Sequence, residues 1–136
     1  MRSNTEIKLR FSDFDMAGHV HNGKYLCFFE QGRIHFLTQI SGSDWNWKKQ
    51  GIVLGRNEID YIKPIYLKDT IYIVTKCEHV GNKSFTLSYE IFKKSNQEDT
   101  LCSKGKSLLV CINFETEDTM PVYEAWKQPL LESLKS

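Results

Sequence analysis

The sequence predicts an α+β fold in which one long helix covers one face of an antiparallel sheet of about five strands. Apolar residues recur at helical spacing over residues 23–40, with Leu26, Phe29, Phe36 and Ile40 on one stripe. The later segments 69–79 and 83–94 instead alternate apolar and polar residues, which is the period of a half-buried strand. Because short turns join these strands, we expect neighbouring strands to pair antiparallel.

Each segment of the chain has its own pattern of residue types. Alternation predicts a first strand over Glu6–Phe11, and the polar stretch Ser12–Asn22 predicts a loop, with Asn22 a plausible helix cap. The remaining expectations are the helix at 23–40, a short second helix at 44–50, strands at 52–65, 69–79, 83–94 and 100–114, a turn at 115–119, and a terminal helix at 122–134 that contains Pro129.

Gly32 lies within the long helix, where glycine costs about 1 kcal/mol relative to alanine. We expect another backbone to approach the helix closely at this residue. No repeat or linker interrupts the pattern. The chain is therefore predicted to be one domain over residues 1–136, with a core at about 6–121 and a C-terminal helical segment at 122–136.

Composition excludes several classes of protein. The 136 residues are 40% hydrophobic and 26% charged, as in soluble globular domains. A formal net charge of +1 gives no strongly basic surface, so a nucleic-acid partner is not expected. No apolar run is long enough for a membrane span, and residues 1–10 do not resemble a secretory signal. We therefore expect a cytoplasmic protein.

Cysteine usage supports the same compartment. The chain has four cysteines, and none forms a C-x-x-C pair; they are Cys27, Cys77, Cys102 and Cys111. We expect reduced, mostly buried thiols rather than disulfides or metal ligands.

The segment before the long helix carries the predicted chemistry. Asp15 lies in the polar loop that leads directly into the helix. The first N–H groups of a helix have no intrahelical partner and carry partial positive charge, so they can stabilise an oxyanion. A carboxylate close by could attack a polarised carbonyl or activate a water. A candidate acid–base group and N–H groups that can bind an oxyanion therefore occur in one short segment.

This segment also resembles the 4-hydroxybenzoyl-CoA thioesterase family of hotdog-fold proteins. The similar residues follow three patterns: Arg10-x-Ser12-Asp13-x-Asp15-x-x-Gly18-His19-Val20-x-Asn22-x-x-Tyr25 followed by Phe29-Glu30-x-x-Arg33, then Asp60-Tyr61-x-Lys63-Pro64-x-x-x-x-Asp69, and Gly81-x-Lys83-Ser84-Phe85. The resemblance runs from about Lys8 to Pro121, and its order of elements is the hotdog order. At two positions, His21 and Gly23, the sequence differs from the residues most common in the family.

The resemblance implies an acyl-CoA thioesterase, a hydrolase that needs no cofactor and no metal. It assigns the nucleophile or general base to Asp15 and the oxyanion donor to the backbone N–H of Asn22 or Gly23. The implied substrate-binding residues are His19, Tyr25, Tyr61, Lys83 and Ser84, with Lys83 on a CoA phosphate. The substrate is an acyl-CoA or an acyl-carrier-protein thioester, and the implied assembly is a homodimer or homotetramer.

The sequence leaves alternatives open for the catalytic acid, for metal binding and for the function. Glu30 is the second candidate for the catalytic acid, and with Arg33 it also suits a helical ion pair. The pair His19 and His21 could be a fragment of a metal site, although catalytic zinc needs three protein ligands. A hydratase shares this fold, and so does a non-catalytic protein that binds acyl-CoA or acyl-carrier protein.

Overall fold

A six-stranded antiparallel sheet with one long helix on its inner face forms the molecule, as the computed structural model describes it for residues 2–134. The strands are β1 (Ser3–Ile7), β2 (Gly51–Tyr61), β3 (Ile71–Val80), β4 (Ser84–Lys93), β5 (Thr100–Asn113) and β6 (Asp118–Thr119). The helices are α1 (Lys24–Ser41) and α2 (Glu124–Ser133). This is the predicted hotdog architecture, with one strand more than the expected five.

The order of strands in the sheet is β1-β3-β4-β5-β2, and the short β6 pairs with β5. Every pairing is antiparallel. The alternation in the sequence explains the inner face: Phe85, Leu87, Tyr89 and Ile91 of β4 are buried, and the residues between them are less buried. β2 lies at one edge of the sheet.

Helix α1 packs Phe29 and Phe36 of its predicted apolar stripe on this inner face, whereas Leu26 is exposed. Phe28, Phe29 and Phe36 are buried, and the Phe29 ring stacks on Tyr89 with centroids 4.5 Å apart. A Cβ at Gly32 would lie 2.6 Å from Thr75 Oγ1 and 3.1 Å from Ile73, so side chains of β3 approach the helix here. The expectation of close approach at Gly32 was correct, but its neighbours are side chains rather than backbone.

Helix α2 closes one side of the core with a cluster of aromatic rings. Trp126 is fully buried and contacts Trp45, Trp47, Phe85 and Tyr123. Nearby, the Ser133 hydroxyl accepts a hydrogen bond from the Cys77 N–H at 2.8 Å, which satisfies a buried donor beside a register shift in β3. Neither helix within residues 2–134 is long and apolar enough to cross a membrane.

The predicted first strand, Glu6–Phe11, was wrong in position. β1 begins at Ser3, because Ser3 and Thr5 place their hydroxyls against His35 Nδ1 of α1, at 2.7 and 2.6 Å. Phe11 is 86% exposed and belongs to a 3₁₀ turn over Phe11–Asp13. Polar contacts to the helix therefore determine where this strand lies.

The short helix expected over 44–50 was also wrong, since these residues form turns. Trp45 Nε1 donates to the Gln50 carbonyl at 2.6 Å, and the Asn46 side chain accepts from the Lys48 N–H. Side-chain bonds of this kind compete with helical backbone bonds.

Smaller corrections concern the ends of elements. β2 ends at Tyr61, before the predicted end at Ile65, and the turn predicted at 115–119 contains β6. The terminal helix is shorter than predicted and passes through Pro129. Residues 135–136 of the predicted C-terminal helical segment lie outside the described residues.

Candidate active site

The loop before α1 is a compact hairpin held by its own backbone. Phe14 and Val20 form an antiparallel bridge, the Asp15 N–H donates to the His19 carbonyl at 3.0 Å, and the Gly18 N–H donates to the Asp15 carbonyl at 3.1 Å. Gly18 has φ +84°, which favours glycine because a Cβ would strain the backbone there. The loop therefore presents Asp15 in a defined position.

The two carboxylate oxygens of Asp15 have different surroundings. Oδ1 accepts the Ala17 N–H at 2.9 Å, which is the local turn typical of aspartate. Oδ2 lies 3.6 Å from His19 Nδ1. The Asp15 side chain is 29% exposed, so a substrate can reach it. One oxygen thus orients the carboxylate and the other faces the imidazole.

Asp13 has a structural role in the same loop. Its carboxylate is almost fully buried and accepts the Arg10 N–H at 2.9 Å. Arg10 and Lys24 lie 3.6 and 4.0 Å from its other oxygen. The sequence placed Asp13 and Asp15 two residues apart, and the fold separates them into a buried anchor and an accessible acid.

The start of α1 is held by side chains at the peptide that joins Asn22 to Gly23. The Gly23 N–H donates to His21 Nδ1 at 3.0 Å, and the Asn22 carbonyl accepts the Tyr61 hydroxyl at 3.1 Å. The Lys24 N–H bonds the His21 carbonyl at 2.9 Å. Among residues 2–134, the Asn22 N–H makes no hydrogen bond.

Two clefts open beside this loop. An apolar groove of about 570 Å³ contains Asp15 and is lined by Phe11, Phe14, Met16 and Leu67. Phe11 and Met16 are almost completely exposed, which is unusual for large apolar side chains. Sequence reasoning missed this groove; an apolar Met16 inside a polar loop was the available signal.

The second cleft, of about 220 Å³, lies at the helix start and contains Asn22, Tyr25, Tyr61 and His19. The rings of Tyr25 and Tyr61 pack edge to face with centroids 4.9 Å apart. Burial raises the pKa of Tyr25 to about 12, so this phenol keeps its proton at neutral pH. The structure therefore brings four predicted site residues to one cleft adjoining the Asp15 loop.

Lys83 and Ser84 lie elsewhere. They are at the β3–β4 turn, where β4 begins, whereas Asn22 and Tyr61 lie near the end at which β4 finishes. A strand of ten residues separates the two ends by roughly 30 Å. Within one chain, Lys83 contacts Thr119 instead, at 3.3 Å.

Glu30, the second candidate acid, lies in a third groove between α1 and β2. Its carboxylate is 3.7 Å from Arg33, whose guanidinium donates to the Tyr89 hydroxyl at 3.1 Å. This groove is lined by apolar residues such as Ile34, Ile52 and Leu54. Glu30 is thus an ion-pair partner on an uncovered face. No group of three or more potential metal ligands occurs within the described residues.

Comparison with known proteins shows the family to which the chain belongs. The family model "Thioesterase-like superfamily" matches residues 9–130, and the chain belongs to this family. It is 26% identical over 132 residues to the long-chain acyl-CoA thioesterase FadM of Escherichia coli, covering 96% of this chain and 98% of that protein.

Solved structures show the same fold. A predicted thioesterase from Bacillus stearothermophilus is 30% identical, with a TM-score of 0.87 over 98% of this chain and 97% of that one. A thioesterase from Thermus thermophilus, solved with coenzyme A and Zn, is 28% identical, with a TM-score of 0.78 and coverage of 98% and 97%. The predictions of a hotdog fold and of a thioesterase-family enzyme are confirmed.

Proposed function

We propose that this protein is an acyl-CoA thioesterase in which Asp15 is the nucleophile or general base. The observation that carries the proposal is an accessible carboxylate, fixed by its own turn, beside an apolar groove and the start of the core helix. In the reaction the acyl–sulfur bond breaks, water supplies the oxygen of the acid, and CoA leaves with a proton as its thiol.

The Asp15 carboxylate suits either role. Oδ1 is occupied by the Ala17 N–H, while Oδ2 has His19 as its neighbour and faces an accessible site. As nucleophile, Oδ2 would form an acyl anhydride that water then hydrolyses; as general base, it would remove a proton from an attacking water. In both routes the Ala17 N–H orients the carboxylate, and His19 lies beside Oδ2.

We assign the oxyanion donor to the Asn22 N–H rather than to that of Gly23. The Gly23 N–H already donates to His21, and the Lys24 N–H is used within the first turn. The Asn22 N–H has no partner among the described residues, and Asn22 lines the cleft at the helix start. Stabilisation of a tetrahedral oxyanion requires an N–H donor that is held in one orientation and has no other hydrogen-bond acceptor.

The groove around Asp15 suits the apolar part of a thioester. Phe11, Phe14, Met16 and Leu67 present an apolar surface next to the carboxylate. The Thermus thermophilus relative was solved with coenzyme A, which supports CoA as the thiol carrier here.

We further propose that a second copy of this chain covers β2 and the groove beside Leu54. β2 is a long edge strand whose outer side pairs with no strand within residues 2–134. Such an edge attracts an identical edge, and a twofold dimer satisfies both. Because Lys83 and Ser84 lie at the far end of the sheet, they would reach the same substrate only from another copy.

The four cysteines support a reducing compartment. All four are free thiols, and Cys77, Cys102 and Cys111 are buried. Reduced cysteines are the usual state in the cytoplasm, where we place the enzyme.

Thiol release from a panel of aromatic and aliphatic acyl-CoAs tests the function. Asp15→Asn keeps an oxygen for the Ala17 N–H but removes the charge, and Asp15→Ala removes both. We expect both variants to lower kcat by about 10²- to 10⁴-fold. Their free energy of unfolding should change by less than about 1 kcal/mol, since Asp15 lies in a surface loop.

Asp44→Asn, in an exposed loop away from the site, is the matched control and should keep full activity. If acyl-CoAs bind but wild type releases no thiol, the protein is a binding module and the thioesterase proposal fails. Activity that survives Asp15→Ala would move the catalytic role to another acid, with Glu30 the next to replace.

A further inference from the structure

Both polar ends of the Asn22–Gly23 peptide are held by side chains from outside the helix. Its carbonyl accepts the Tyr61 hydroxyl at 3.1 Å, and its N–H donates to His21 Nδ1 at 3.0 Å. Gly23 also lacks a side chain that would crowd the imidazole: a Cβ there would lie 3.3 Å from His21 Nδ1. The plane of this peptide is therefore fixed from two sides.

Fixing this peptide also fixes its neighbour. The preceding peptide, between His21 and Asn22, carries the proposed oxyanion donor, and its carbonyl already accepts the Lys24 N–H at 2.9 Å. Because the carbonyl of this peptide is bonded within the first turn and the following peptide is held, the Asn22 N–H has little freedom to rotate. A donor that cannot rotate costs no reorganisation when charge develops on the substrate oxygen.

We propose that His21 is a positioning residue of the reaction: its unprotonated imidazole holds the Gly23 N–H and thereby orients the Asn22 N–H towards the thioester oxygen. The inference rests on the proposed thioesterase function. It adds a requirement, because only a ring nitrogen without a proton accepts a hydrogen bond.

Protonation of His21 breaks the contact for two reasons. A protonated imidazole has two donors and no acceptor, so it cannot take the Gly23 N–H. Its positive charge would also lie against the positive end of the α1 dipole. Histidine changes charge between about pH 5 and 8, so turnover should fall on the acid side of this range.

Other charged and titratable groups surround this turn, and their effects on the pH profile must be distinguished from that of His21. They are Asp13, Asp15 and His19 of the same loop, Lys24 of α1, and Tyr61 and Lys63 at and just after the end of β2. Of these, His19 is the other histidine of the loop, and it lies 3.6 Å from the carboxylate of Asp15. The test therefore compares variants that all retain His19.

The experiment measures kcat and KM for thiol release at several values between about pH 5 and 8. His21→Asn supplies an amide oxygen that accepts the N–H two residues on at any pH, as in an Asx turn. We expect it to restore most of kcat at high pH and to remove the acid-side loss that wild type shows. His21→Ala lacks an acceptor, and its kcat should be about tenfold below that of wild type at high pH and approach that of wild type at low pH, with KM within about twofold.

Tyr61→Phe removes the contact at the other end of the same peptide. It should lower kcat without changing the shape of the pH profile, because the His21 imidazole stays in place. The melting temperature of each variant, measured at both ends of the pH range, shows whether the fold is intact. If His21→Ala does not fold, the profile of His21→Asn alone decides the question.

Two results would overturn the proposal: an acid-side loss in His21→Asn equal to that of wild type, or a wild-type kcat in His21→Ala at high pH. Either would leave the thioesterase function standing if Asp15→Asn is inactive. Absence of thiol release from wild type would overturn the function and the role of His21 together, whereas full activity of Asp15→Asn would overturn only the catalytic role of Asp15.

Discussion

β2 and β5 pair along the whole length of β2, yet their surroundings differ. β5 lies between two strands with α1 over its inner face, and its residues Cys102, Ser103, Ser107, Leu109 and Cys111 are buried. β2 is the edge strand, and most of its residues are exposed, among them Val53, Leu54 and Tyr61. The difference shows that position in the sheet, rather than strand pairing, decides how well a strand is covered.

The two strands also have different roles. β5 supports the helix: its Gly105 lies directly beneath the Phe29 ring, and Ser107 lies 3.5 Å from the Arg33 guanidinium. β2 instead carries Tyr61, whose hydroxyl holds the start of α1. Changes on β5 should therefore affect stability, and changes on β2 should affect assembly and the site.

The largest expected effect is that of Gly105→Ala on β5. A Cβ at this residue would lie 2.4 Å from the Glu58 carbonyl oxygen and 2.4 Å from the Phe29 ring, so helix and sheet would have to separate. We expect a loss of about 3 kcal/mol in the free energy of unfolding, measured by denaturant titration.

Gly55→Ala is the matched control on β2. A Cβ there meets its nearest atom at 3.5 Å, which is ordinary contact, and the loss should be under about 1 kcal/mol. Equal losses at Gly105 and Gly55 would contradict the contrast between the two strands.

A smaller effect on stability, but a clear one on assembly, is expected from Leu54→Lys. Leu54 is 48% exposed in the single chain, so lysine there should cost less than about 1 kcal/mol in an isolated subunit. If a second copy covers this edge, the added charge should dissociate the assembly towards the 15.9 kDa monomer, as light scattering would show.

Leu131→Lys, at an equally exposed leucine of α2, is the control for this experiment and should leave the assembly unchanged. A wild-type chain that is monomeric at high concentration would refute the proposed pairing of β2 edges.

The smallest expected effect concerns the thiols. Burial raises the pKa of Cys77 and of Cys111 to about 11, and that of Cys102 in the same direction, whereas Cys27 is exposed. A disulfide reagent at about pH 8 should therefore modify Cys27 first, and the buried thiols only after unfolding. Slow modification of Cys27 in the native assembly would indicate that the exposed side of α1 is covered.

The same pKa shifts give stability a dependence on alkaline pH. The thiols ionise near pH 9 when unfolded and near pH 11 when folded, so their stabilising contribution is complete below about pH 9. The free energy of unfolding should fall as the pH rises from 9 towards 11, which denaturant titrations at several pH values would measure. Constant stability over this range would contradict the burial of Cys77 and Cys111.

Much of the fold follows from patterns that are local in the sequence. The helical spacing of Phe29 and Phe36 and the alternation of Phe85, Leu87, Tyr89 and Ile91 predicted α1 and β4 within one or two residues. The segments at 6–11 and 44–50 were wrong because their polar groups find partners that local patterns do not reveal. Ser3 and Thr5 contact His35, some thirty residues away in the chain, and Trp45 bonds a backbone carbonyl.

Local residue patterns predicted the order of the two helices and of β1 to β5, the family and the candidate Asp15, because periodicity and motif residues lie within short segments. The folded structure shows that the His21 ring takes the Gly23 N–H and leaves that of Asn22 unpaired, and it brings the Tyr61 hydroxyl to the Asn22 carbonyl from 39 residues away. It alone separated Lys83 from Asp15 and left β2 uncovered. Hydrogen-bond partners and edges depend on how distant segments pack, and no local pattern encodes that.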